Sequence, residues 1–437
     1  MRIIRFNDPA RWLPRLGAVP SVRTSSLRRS WVSAGRRVLF LAADVPWPPD
    51  GGGRIASLRV LEAFSASHDV DLIALADPLG DVEFDQLRSL CRRVAIVRHP
   101  FSFGQHPYRQ AATALRSLVS REPYRLRKFR SSQVRTILAR WKAETPYELV
   151  HHEQFGVAPY LDPQLPSTAL VQNVESQIYR RGAGSGTFLS RAWAAVEGRK
   201  LARREPELLM RFDEVFVLSD LDRAQLHDLG VERVSVVPMP APPAAPSRST
   251  PGRHLILTMG SMSWFGVADG LAWFHDRVLP ASRAQVPDVE WDLVGPGASA
   301  MIRAYADEPN VRVHGYVPDV APFVESARVA VIPLHVAGGI RMKLLELMAD
   351  GVPTVATTVG AEGIGFRNGE GGLRCDDPDA FARATVRLLT DDEMWRSTVD
   401  AGREFLARAH TAADLRTAID AGVERAIARH GFNGSRG

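Results

Sequence analysis

The chain has 437 residues, of which 45% are hydrophobic and 24% charged. This composition is typical of a globular protein with a sizeable core and excludes a wholly disordered chain. The longest apolar runs are the size of strands, well short of the ~18 residues of a membrane-spanning helix. The formal net charge is +6, and only four of the 55 basic residues are Lys, so each Lys is a position to examine.

The two cysteines, Cys91 and Cys375, lie far apart in the sequence. They exclude a disulfide framework and the Cys/His spacing of a structural zinc site. A reducing compartment is the simplest interpretation, so we predict a cytoplasmic protein. The length predicts two or three domains.

Residues 1–37 carry nine Arg and one acidic residue. They lack the apolar core of a secretion signal, so we predict a poorly ordered basic arm over residues 1–35. The arm could be a solvated extension without function, or it could attract anionic lipid headgroups at the inner face of the plasma membrane. Nucleic acid is disfavoured because no helix-turn-helix or zinc pattern follows the arm.

The first predicted strand covers residues 37–43 and is followed by a Pro/Gly loop over 45–53 and a helix over 54–67. Strand and helix patterns then alternate up to residue 237. Further strands are predicted over 70–75, 94–98, 148–152, 169–174, 214–219 and 234–237, and further helices over 84–92, 135–144, 188–209 and 220–229. This alternation predicts βαβ units and a mainly parallel sheet, so residues 36–237 are expected to form a Rossmann-like domain.

Residues 238–251 contain six prolines, which predicts a semi-rigid linker over 238–252. The alternation then restarts. Strands are predicted over 255–259, 290–294, 311–314, 329–333 and 354–357, and helices over 268–278, 341–349, 378–389, 393–409 and 412–429. We therefore expect an α/β protein with a second Rossmann-like domain over 253–410. Ligands of such sheets bind at the carboxyl ends of the strands, which places the site in a cleft between two domains that face each other.

The most informative segment is 338–363, which reads GGIRMKLLELMADGVPTVATTVGAEG. Arg341 and Lys343 open a predicted helix, although cations are unfavourable at the positive end of the helix dipole unless an anion binds there. A diphosphate would satisfy both cations and the free N–H groups. Glu346, one turn later, could accept hydrogen bonds from a ribose diol, or could form a surface ion pair with Lys343.

This segment resembles the donor-site signature of family 4 glycosyltransferases, which have the GT-B fold of two Rossmann-like domains. Four other stretches resemble the same family: the glycine loop at 48–54, the sequence VQNVES at 171–176 of its exopolysaccharide-associated subgroup, GSMSWF at 260–265, and VRVHGYVP at 311–318. The resemblance covers about residues 36–430. It implies a nucleotide-sugar donor, retention of the anomeric configuration and no cofactor. It also implies that residues 411–437 form a helix that crosses back toward the N-terminal domain.

The resemblance implies roles for individual residues of the second domain. Arg341 and Lys343 would be catalytic, because they would stabilise charge that develops on the leaving nucleoside diphosphate. Glu346 would hold the ribose. The other implied donor contacts are the backbone of Val317 beside the base, the loop residues Gly260 and Ser261, and Glu362 with Gly363 at the start of another helix.

In the first domain, Gly52 and Gly53 would permit close backbone approach to the phosphates or the acceptor, although a simple turn is an alternative. His151, His152 and Glu153 end a predicted strand, in which His151 and Glu153 share one face. Family members often place a His near here against the transferred sugar. We therefore name His152 as a catalytic candidate and Glu153 as a sugar or acceptor contact, with a structural role as the alternative. Glu175, after the next strand, is a second candidate for the acceptor contact.

The chain departs from the family at one carboxylate. The family's Glu-x7-Glu pair has Glu346 as its second member, but Gly338 stands in the first position, so the usual sugar contact is missing or supplied elsewhere. No metal site is expected, because the cations and helix ends would substitute for a metal ion. We therefore predict a metal-independent, hexosyltransferase-like enzyme of polysaccharide, glycolipid or glycosylated-metabolite biosynthesis, with a carbohydrate, lipid-linked or small-molecule acceptor. The alternatives are a non-catalytic sugar-nucleotide-binding or scaffold protein and a sugar-nucleotide epimerase on the same fold.

Overall fold

The computed structural model describes residues 35–49, 51–77, 84–101, 106–182, 188–246, 248–262, 265–336 and 338–434. Nearly all of the predicted basic arm lies outside these residues. The described chain divides into two compact units. The N-terminal unit extends to Met239 and also includes the residues from Ala412 onward, whereas the C-terminal unit covers Pro240–Thr411.

The described part of the N-terminal unit is built on one seven-stranded parallel sheet. Its strands are β1 (Arg37–Ala42), β2 (Asp69–Ala76), β3 (Arg93–Arg98), β4 (Leu149–Glu153), β5 (Ser167–Val171), β6 (Glu214–Val217) and β7 (Val234–Val236). Its helices before residue 239 are α1 (Gly52–Ser67), α2 (Asp85–Leu90), α3 (Pro107–Leu118), α4 (Tyr124–Arg127), α5 (Ser132–Glu144), α6 (Glu175–Gly182), α7 (Phe188–Leu209) and α8 (Asp220–Asp228). The central strands are buried on both faces, which explains their continuous apolar sequences.

The described part of the C-terminal unit contains a six-stranded parallel sheet. Its strands are β8 (Leu255–Met259), β9 (Glu290–Val294), β10 (Val311–Gly315), β11 (Val329–Ile332), β12 (Thr354–Ala356) and β13 (Gly372–Arg374). Its helices are α9 (Phe265–Trp273), α10 (Leu279–Gln285), α11 (Ala300–Ala304), α12 (Ala321–Ser326), α13 (Met342–Ala349), α14 (Pro378–Thr390) and α15 (Asp392–Ala409). A core that includes Phe274, Trp291 and Phe381 fills one side of this sheet.

Both sheets have the same order of strands, except that the first has one further strand, β7, at its edge. The strand order is β3-β2-β1-β4-β5-β6-β7 in the first and β10-β9-β8-β11-β12-β13 in the second. The order therefore reverses between β1 and β4 and again between β8 and β11. In open parallel sheets, ligands bind outside the carboxyl ends of the strands at such a reversal. The topology thus defines one candidate location in each unit.

The last helix, α16 (Ala412–Gly434), belongs to the N-terminal unit. Gly422 permits the helix to approach the ring of Phe216 on β6, since a Cβ at this glycine would lie 2.1 Å from the ring. The guanidinium of Arg425 lies 2.9 Å from the carboxylate of Glu214 on the same strand, and Arg429 pairs with that carboxylate as well. The end of the chain is therefore held on the first sheet by close packing and by charge.

The proline-rich stretch differs from the expected linker. Its backbone bonds to the C-terminal unit, where the N–H of Ala245 donates to the carbonyl of Ala349 at 2.8 Å. The Arg248 guanidinium donates to three carbonyls of the segment Val324–Ala327, and Arg328 donates to the carbonyl of Pro251 at 2.9 Å. Residues 240–251 are therefore fastened to one unit, and the boundary falls at Met239 and Pro240.

Gly270 allows α9 to pack closely against the backbone that follows β11. A Cβ at this position would lie 2.1 Å from the carbonyl oxygen of Pro333, the residue after that strand. Real Cβ atoms do not approach backbone oxygen so closely, and backbone cannot move away like a flexible side chain. The helix therefore depends on glycine here to support the segment that leads into α13.

We predict that Gly270→Ala destabilises the protein by about 1–3 kcal/mol in urea unfolding, because the added methyl group displaces the backbone after β11. Alanine normally stabilises a helix relative to glycine by roughly 0.5–1 kcal/mol. Gly431→Ala in α16, where no atom lies within 4 Å of the new Cβ, is the matched control and should leave stability unchanged or raise it. Equal effects of the two substitutions would contradict the proposed packing constraint.

Candidate functional site

The predicted donor residues of the C-terminal unit lie after the carboxyl ends of its parallel strands. Gly260 and Ser261 follow β8, and Val317 follows β10. The segment 338–346 comprises the end of the loop after β11 and the first residues of α13. Glu362 and Gly363 follow β12. Because the strands are parallel, all of these residues lie along one edge of the sheet. We call this edge, with the loops after β8, β10, β11 and β12, the donor rim.

Glycines bring the first loops of the donor rim together. Gly260 has a φ of +141°, and its N–H donates to the carbonyl of Val294 at 3.0 Å. A Cβ on Gly295 would lie 1.8 Å from the carbonyl oxygen of Gly260, and the N–H of Gly295 donates to Gly315 at 2.8 Å. The backbone at the ends of β8, β9 and β10 is therefore closely packed. Ser261, beside it, is exposed.

Arg341 fastens two loops of the donor rim. It precedes α13 as the N-cap residue, and its guanidinium donates to the carbonyls of Gly338 and Gly339 at 2.7 and 2.9 Å. It also donates to the carbonyl of Val359 at 3.3 Å and lies 3.6 Å from the carboxylate of Glu362. Its side chain is only 11% exposed. The cation is thus mainly engaged in joining the loops that follow β11 and β12.

Lys343 carries the more accessible charge. Its side chain is 39% exposed, and Nζ lies 2.5 Å from the carboxylate of Glu346 one turn later. The ion-pair alternative noted from the sequence is therefore formed. Such half-exposed pairs contribute only about 0–1 kcal/mol. The first turn of α13 has no acidic residue, and the two cations at this helix start are paired with carboxylates outside that turn, those of Glu362 and Glu346.

The expected helix at Glu362 and Gly363 is absent, and this prediction was wrong. Residues 358–364 form consecutive turns instead. Gly363 and Gly365 have positive φ values, which end right-handed helical backbone. Gly363 also lies against Ile340, since a Cβ there would be 2.7 Å from that side chain. The turn therefore contributes glycine backbone and the carboxylate of Glu362 to the donor rim, without a helix dipole.

In the N-terminal unit, Gly52 and Gly53 begin α1 directly after the β1 loop. Both residues are exposed, and the first turn of the helix has no acidic residue. The side-chain amide of Gln172, which follows β5, donates to the carbonyl of Gly53 at 3.1 Å. A Cβ on Gly53 would lie 3.1 Å from that amide oxygen, so glycine allows this close contact.

Glu153 organises the reversal point between β1 and β4. One carboxylate oxygen accepts from the hydroxyl of Ser57 at 2.8 Å and from the amide of Gln172 at 2.9 Å. The other oxygen lies 3.1 Å from Nε2 of His151, whose Nδ1 lies 2.8 Å from the hydroxyl of Thr168. This confirms that His151 and Glu153 share one face of the strand. Glu153 is fully buried, so it holds α1 and the β5 loop in place and cannot contact an acceptor in this conformation.

His152 points to the opposite face and is also fully buried. Its ring packs edge-on against Phe212, with the centroids 5.0 Å apart, and Nδ1 donates to the carbonyl of Thr168 at 3.3 Å. Burial lowers the pKa of His152 to about 3, which keeps the imidazole neutral. The proposed catalytic role of His152 is therefore not supported, because no surface of the ring is available to a substrate.

Glu175 begins α6 and is nearly buried, with one carboxylate oxygen 2.7 Å from Nε of Arg125. Lys128 lies in the same region, since its carbonyl bonds to His99 after β3. Its ammonium lies 4.8 Å from the ring centroid of Phe129. Burial, together with the nearby Arg125 guanidinium, lowers the pKa of Lys128 to about 8. We call Arg125, Lys128 and Glu175 the basic cluster.

The basic cluster contains two cations that the sequence analysis did not assign. Asp44 after β1 and Asp77 after β2 are close enough to influence the ammonium of Lys128, so the cluster lies at the carboxyl edge of the first sheet. The signal in the sequence that could have identified Lys128 was the rarity of lysine in this chain. This signal could not place Arg125 and Lys128 beside Glu175, because they belong to a short helical segment far from β5 in sequence.

Within the described ranges, no group of three or more His, Cys, Asp or Glu side chains has the arrangement needed to hold a metal ion. His151 and Glu153 contact each other on one face of β4, whereas His152 lies on the other. Likewise, none of the helices in the described part of the chain combines the length and the apolar character needed to cross a bilayer.

The burial of His152 makes a prediction about acid stability. Its folded-state pKa of about 3 lies below the ordinary 6.5, so the unfolded chain binds the proton first as the pH falls. The contribution to stability is complete above about pH 6.5 and decreases toward pH 3, at ~1.4 kcal/mol per pH unit.

We expect His152→Asn to flatten the pH dependence of the free energy of unfolding between about pH 6 and pH 4. His227→Asn, at an exposed position, controls for the loss of a histidine. An imidazole of His152 that titrates near pH 6.5 by NMR would contradict the assignment.

Comparisons with known proteins agree with this architecture. Residues 253–391, which include most of the donor rim, match the family described as "Glycosyl transferases group 1". The chain is 21% identical over 369 residues to an uncharacterized 44.6 kDa protein in the cps region of Klebsiella pneumoniae, covering 80% of this chain and 90% of that protein.

Two solved structures have a similar fold. HepE of Anabaena, crystallised with UDP and glucose, has a TM-score of 0.56 at 13% identity over 89% of this chain and 99% of HepE. A glycosyltransferase of Rickettsia africae has a TM-score of 0.57 at 11% identity over 90% of this chain and 99% of that enzyme. The fold that the sequence resemblance implies is therefore confirmed: the chain has the GT-B fold, and residues 253–391 match the glycosyl transferases group 1 family.

Proposed function

We propose that the protein is a retaining glycosyltransferase that moves a sugar from a nucleoside-diphosphate sugar to an acceptor hydroxyl. The observation that carries this proposal is the start of α13, where Arg341 and Lys343 lie at the positive end of a helix whose first turn contains no acidic residue. This cationic helix start lies beside the strand-order reversal of the second sheet and within the segment matched by the family. A diphosphate is the anion that the position suits best.

Donor binding would replace Glu346 by the diphosphate as the partner of the Lys343 ammonium. In the structure its ammonium is paired with Glu346 at 2.5 Å. A diphosphate at the helix start would attract the ammonium more strongly than a half-exposed carboxylate does, because it carries more charge and also accepts from backbone N–H groups. The release of Glu346 would then free its carboxylate to accept the two hydroxyls of a ribose. One local rearrangement thus prepares both contacts.

The nucleotide class is supported by one of the similar structures. HepE was crystallised with UDP, with UDP and glucose, and with UDP-glucose. Its fold covers both units of this chain. We propose a uridine-diphosphate sugar as the first donor to test, with the backbone near Val317 beside the base. The Klebsiella relative lies in a cps region, which supports a role in the biosynthesis of polysaccharide, glycolipid or another glycosylated product.

The chemistry that this arrangement could support is mainly electrostatic. The bond between the sugar's anomeric carbon and the diphosphate oxygen breaks, and the bond to the acceptor oxygen forms on the same face. The departing oxygen takes up the acceptor's proton, so the reaction needs no separate base. Lys343 and the start of α13 stabilise the negative charge that develops on the diphosphate, and such a contact is worth ~3–4 kcal/mol when it is made in the transition state. These cations would take the place of a metal ion.

Arg341 would contribute by position more than by direct contact. Four protein groups already engage its guanidinium, and only a tenth of its side chain is exposed. It keeps the loops after β11 and β12 at the distance that the donor requires. Lys343, by contrast, has an exposed ammonium with one exchangeable partner. The two cations are therefore expected to respond differently to substitution.

The acceptor would bind the carboxyl edge of the first sheet. There the basic cluster offers one ion pair, between Arg125 and Glu175, and the ammonium of Lys128 among aromatic rings. Aromatic faces and charged hydrogen-bonding groups are both suited to sugars. Glu153 supports this edge from below through Gln172 and Ser57. Glu175 stays in the proposal as a residue that positions Arg125, rather than as a free carboxylate.

We predict that Lys343→Ala lowers turnover of a nucleotide-sugar substrate about a hundredfold, because one transition-state charge contact is lost. Its free energy of unfolding should change by less than ~1 kcal/mol, since an exposed ion pair contributes little. Arg341→Ala should lower both turnover and stability, because the loop carbonyls lose their common donor. Initial rates of UDP release and urea unfolding of the same preparations measure the two effects.

Lys142→Ala is the matched control, because it removes another partly exposed, ion-paired lysine in the N-terminal unit and should retain full turnover. The turnover rate of the wild-type enzyme should be the same with and without EDTA. Normal turnover by Lys343→Ala would overturn the phosphate assignment. Nucleotide binding without turnover by the wild-type chain would favour the scaffold alternative, in which Gly338 marks the loss of the family's sugar-contacting carboxylate.

A further inference from the structure

The ammonium of Lys128 lies among aromatic rings at the carboxyl edge of the first sheet. Lys128 is the C-cap residue of α4 and is partly buried. Among the described residues, none accepts a hydrogen bond from its Nζ. That atom lies instead 4.8 Å from the ring centroid of Phe129, 5.8 Å from that of Tyr124 and 5.9 Å from that of Phe101. The ring faces attract the cation, but they do not replace the water oxygens that its three N–H groups would otherwise bond.

The guanidinium of Arg125 lies beside this ammonium. Both cations lie over the ring of Phe129, with Cζ of Arg125 5.3 Å from the ring centroid. Nε of Arg125 donates to Glu175 at 2.7 Å, and a quarter of the Arg125 side chain is exposed. Within the described ranges, no protein group accepts a hydrogen bond from its two terminal nitrogen atoms. One carboxylate, that of Glu175, therefore serves two neighbouring cations.

Two further carboxylates influence the ammonium of Lys128 at longer range, and both are engaged with other residues. Asp44 accepts from the guanidinium of Arg54 at 2.9 Å, and the carboxylate of Asp77 lies 2.9 Å from Nε2 of His106. Neither forms an ion pair with Lys128. The described part of the chain thus leaves this ammonium for an anion that arrives with a ligand.

The two cations also lie where the first sheet is expected to bind its ligand. Asp44 follows β1, Glu175 follows β5, and the strand order reverses between β1 and β4. Both carboxylates are close enough to act on Lys128, so the basic cluster lies beside this reversal. A partly buried charge without an acceptor is unfavourable in the empty protein. Binding of an anion at this edge would remove that cost.

We propose that Lys128 and Arg125 bind an anionic group of the acceptor, and that the acceptor is an acidic sugar. The group is the carboxylate of a uronic acid or a phosphate ester, because the N–H groups of a guanidinium match the oxygens of either and the ammonium supplies further donors. Glu175 positions Arg125 for this contact. The inference rests on the proposed transferase function for the identity of the ligand as acceptor, whereas anion binding itself requires no turnover.

Ligand-observed NMR titrations of the full-length chain test the proposal with methyl glucuronide, glucose 6-phosphate and, as the neutral match, methyl glucoside. At about pH 7 the better of the two acidic sugars should bind at least about tenfold more tightly than methyl glucoside. Lys128→Met should remove most of this preference, because methionine keeps the length of the side chain without its charge. Preference for the glucuronide identifies a carboxylate subsite, and preference for the phosphate identifies a phosphate subsite.

Two readouts distinguish ligand binding from a merely structural role of Lys128. Burial and the nearby Arg125 charge lower its pKa to about 8. Binding of the acidic sugar should therefore weaken above pH 8, by up to about tenfold per pH unit, and Lys128→Met should abolish this dependence. Lys128→Met should also unfold in urea at no lower concentration than the wild type, because methionine packs well against aromatic rings and removes a charge without an acceptor.

Lys142→Met is the matched control, because it removes a partly exposed, ion-paired lysine of the same unit and should leave binding of all three sugars unchanged. Equal affinity of the wild type for the acidic and the neutral sugars would overturn the proposal. So would a Lys128→Met variant that keeps the full preference for the acidic sugar. The transferase function fails separately: acid-specific binding through Lys128 without transfer to any acceptor would contradict the proposed function and leave the anion subsite in place.

Discussion

The hydrogen bonds of Arg341 are the constraint on which the donor rim depends. Its guanidinium joins the carbonyls of Gly338 and Gly339 to that of Val359, and so couples the loops after β11 and β12. It does so as a cation placed before the first turn of α13, where the helix dipole opposes positive charge. Lys343 follows about half a turn later, and each cation is paired with a carboxylate, Arg341 with Glu362 and Lys343 with Glu346. The residues that fix these loops therefore also form the proposed anion site.

In the N-terminal unit, a buried carboxyl group joins the segments at the carboxyl edge of the sheet. Glu153 lies at the reversal point of the first sheet and bonds to Ser57, Gln172 and His151, which come from three different elements. Removing such a central partner would leave several buried polar groups unsatisfied. In each unit, one side chain thus joins the segments at the carboxyl edge of the sheet. In the C-terminal unit it is Arg341, and in the N-terminal unit it is Glu153.

Sequence patterns predicted the α/β class and most of the long elements. The helix expected over 341–349 is observed as Met342–Ala349, and the strand expected over 255–259 is Leu255–Met259. Buried parallel strands give continuous apolar runs, which are easily recognised. Short elements were missed, because three residues such as Gly372–Arg374 cannot show a period. Helix α3 was missed as well, and its orientation depends on contacts with α7 that lie about 80 residues away.

The sequence predicted which strand ends the candidate residues follow, but it predicted their burial and local backbone less well. The alternation rule placed His151 and Glu153 on one face, as observed, but could not show that both faces of β4 are buried. Glu362 and Gly363 were expected to begin a helix, because the sequence alone does not show which glycines adopt positive φ. The ion pair between Lys343 and Glu346 was recognised as an alternative. The proposed replacement of this pair by a ligand is a property of the bound state, which local sequence does not encode.

Amide hydrogen exchange with and without UDP tests the central claim most directly, because it locates nucleotide binding along the chain. The account predicts that UDP slows exchange in four segments of the donor rim, residues 260–262, 316–318, 338–346 and 358–363, and that Lys343→Ala weakens this protection. Protection confined to the N-terminal unit, or no protection in 338–346 at saturating UDP, would contradict the assignment of the donor site.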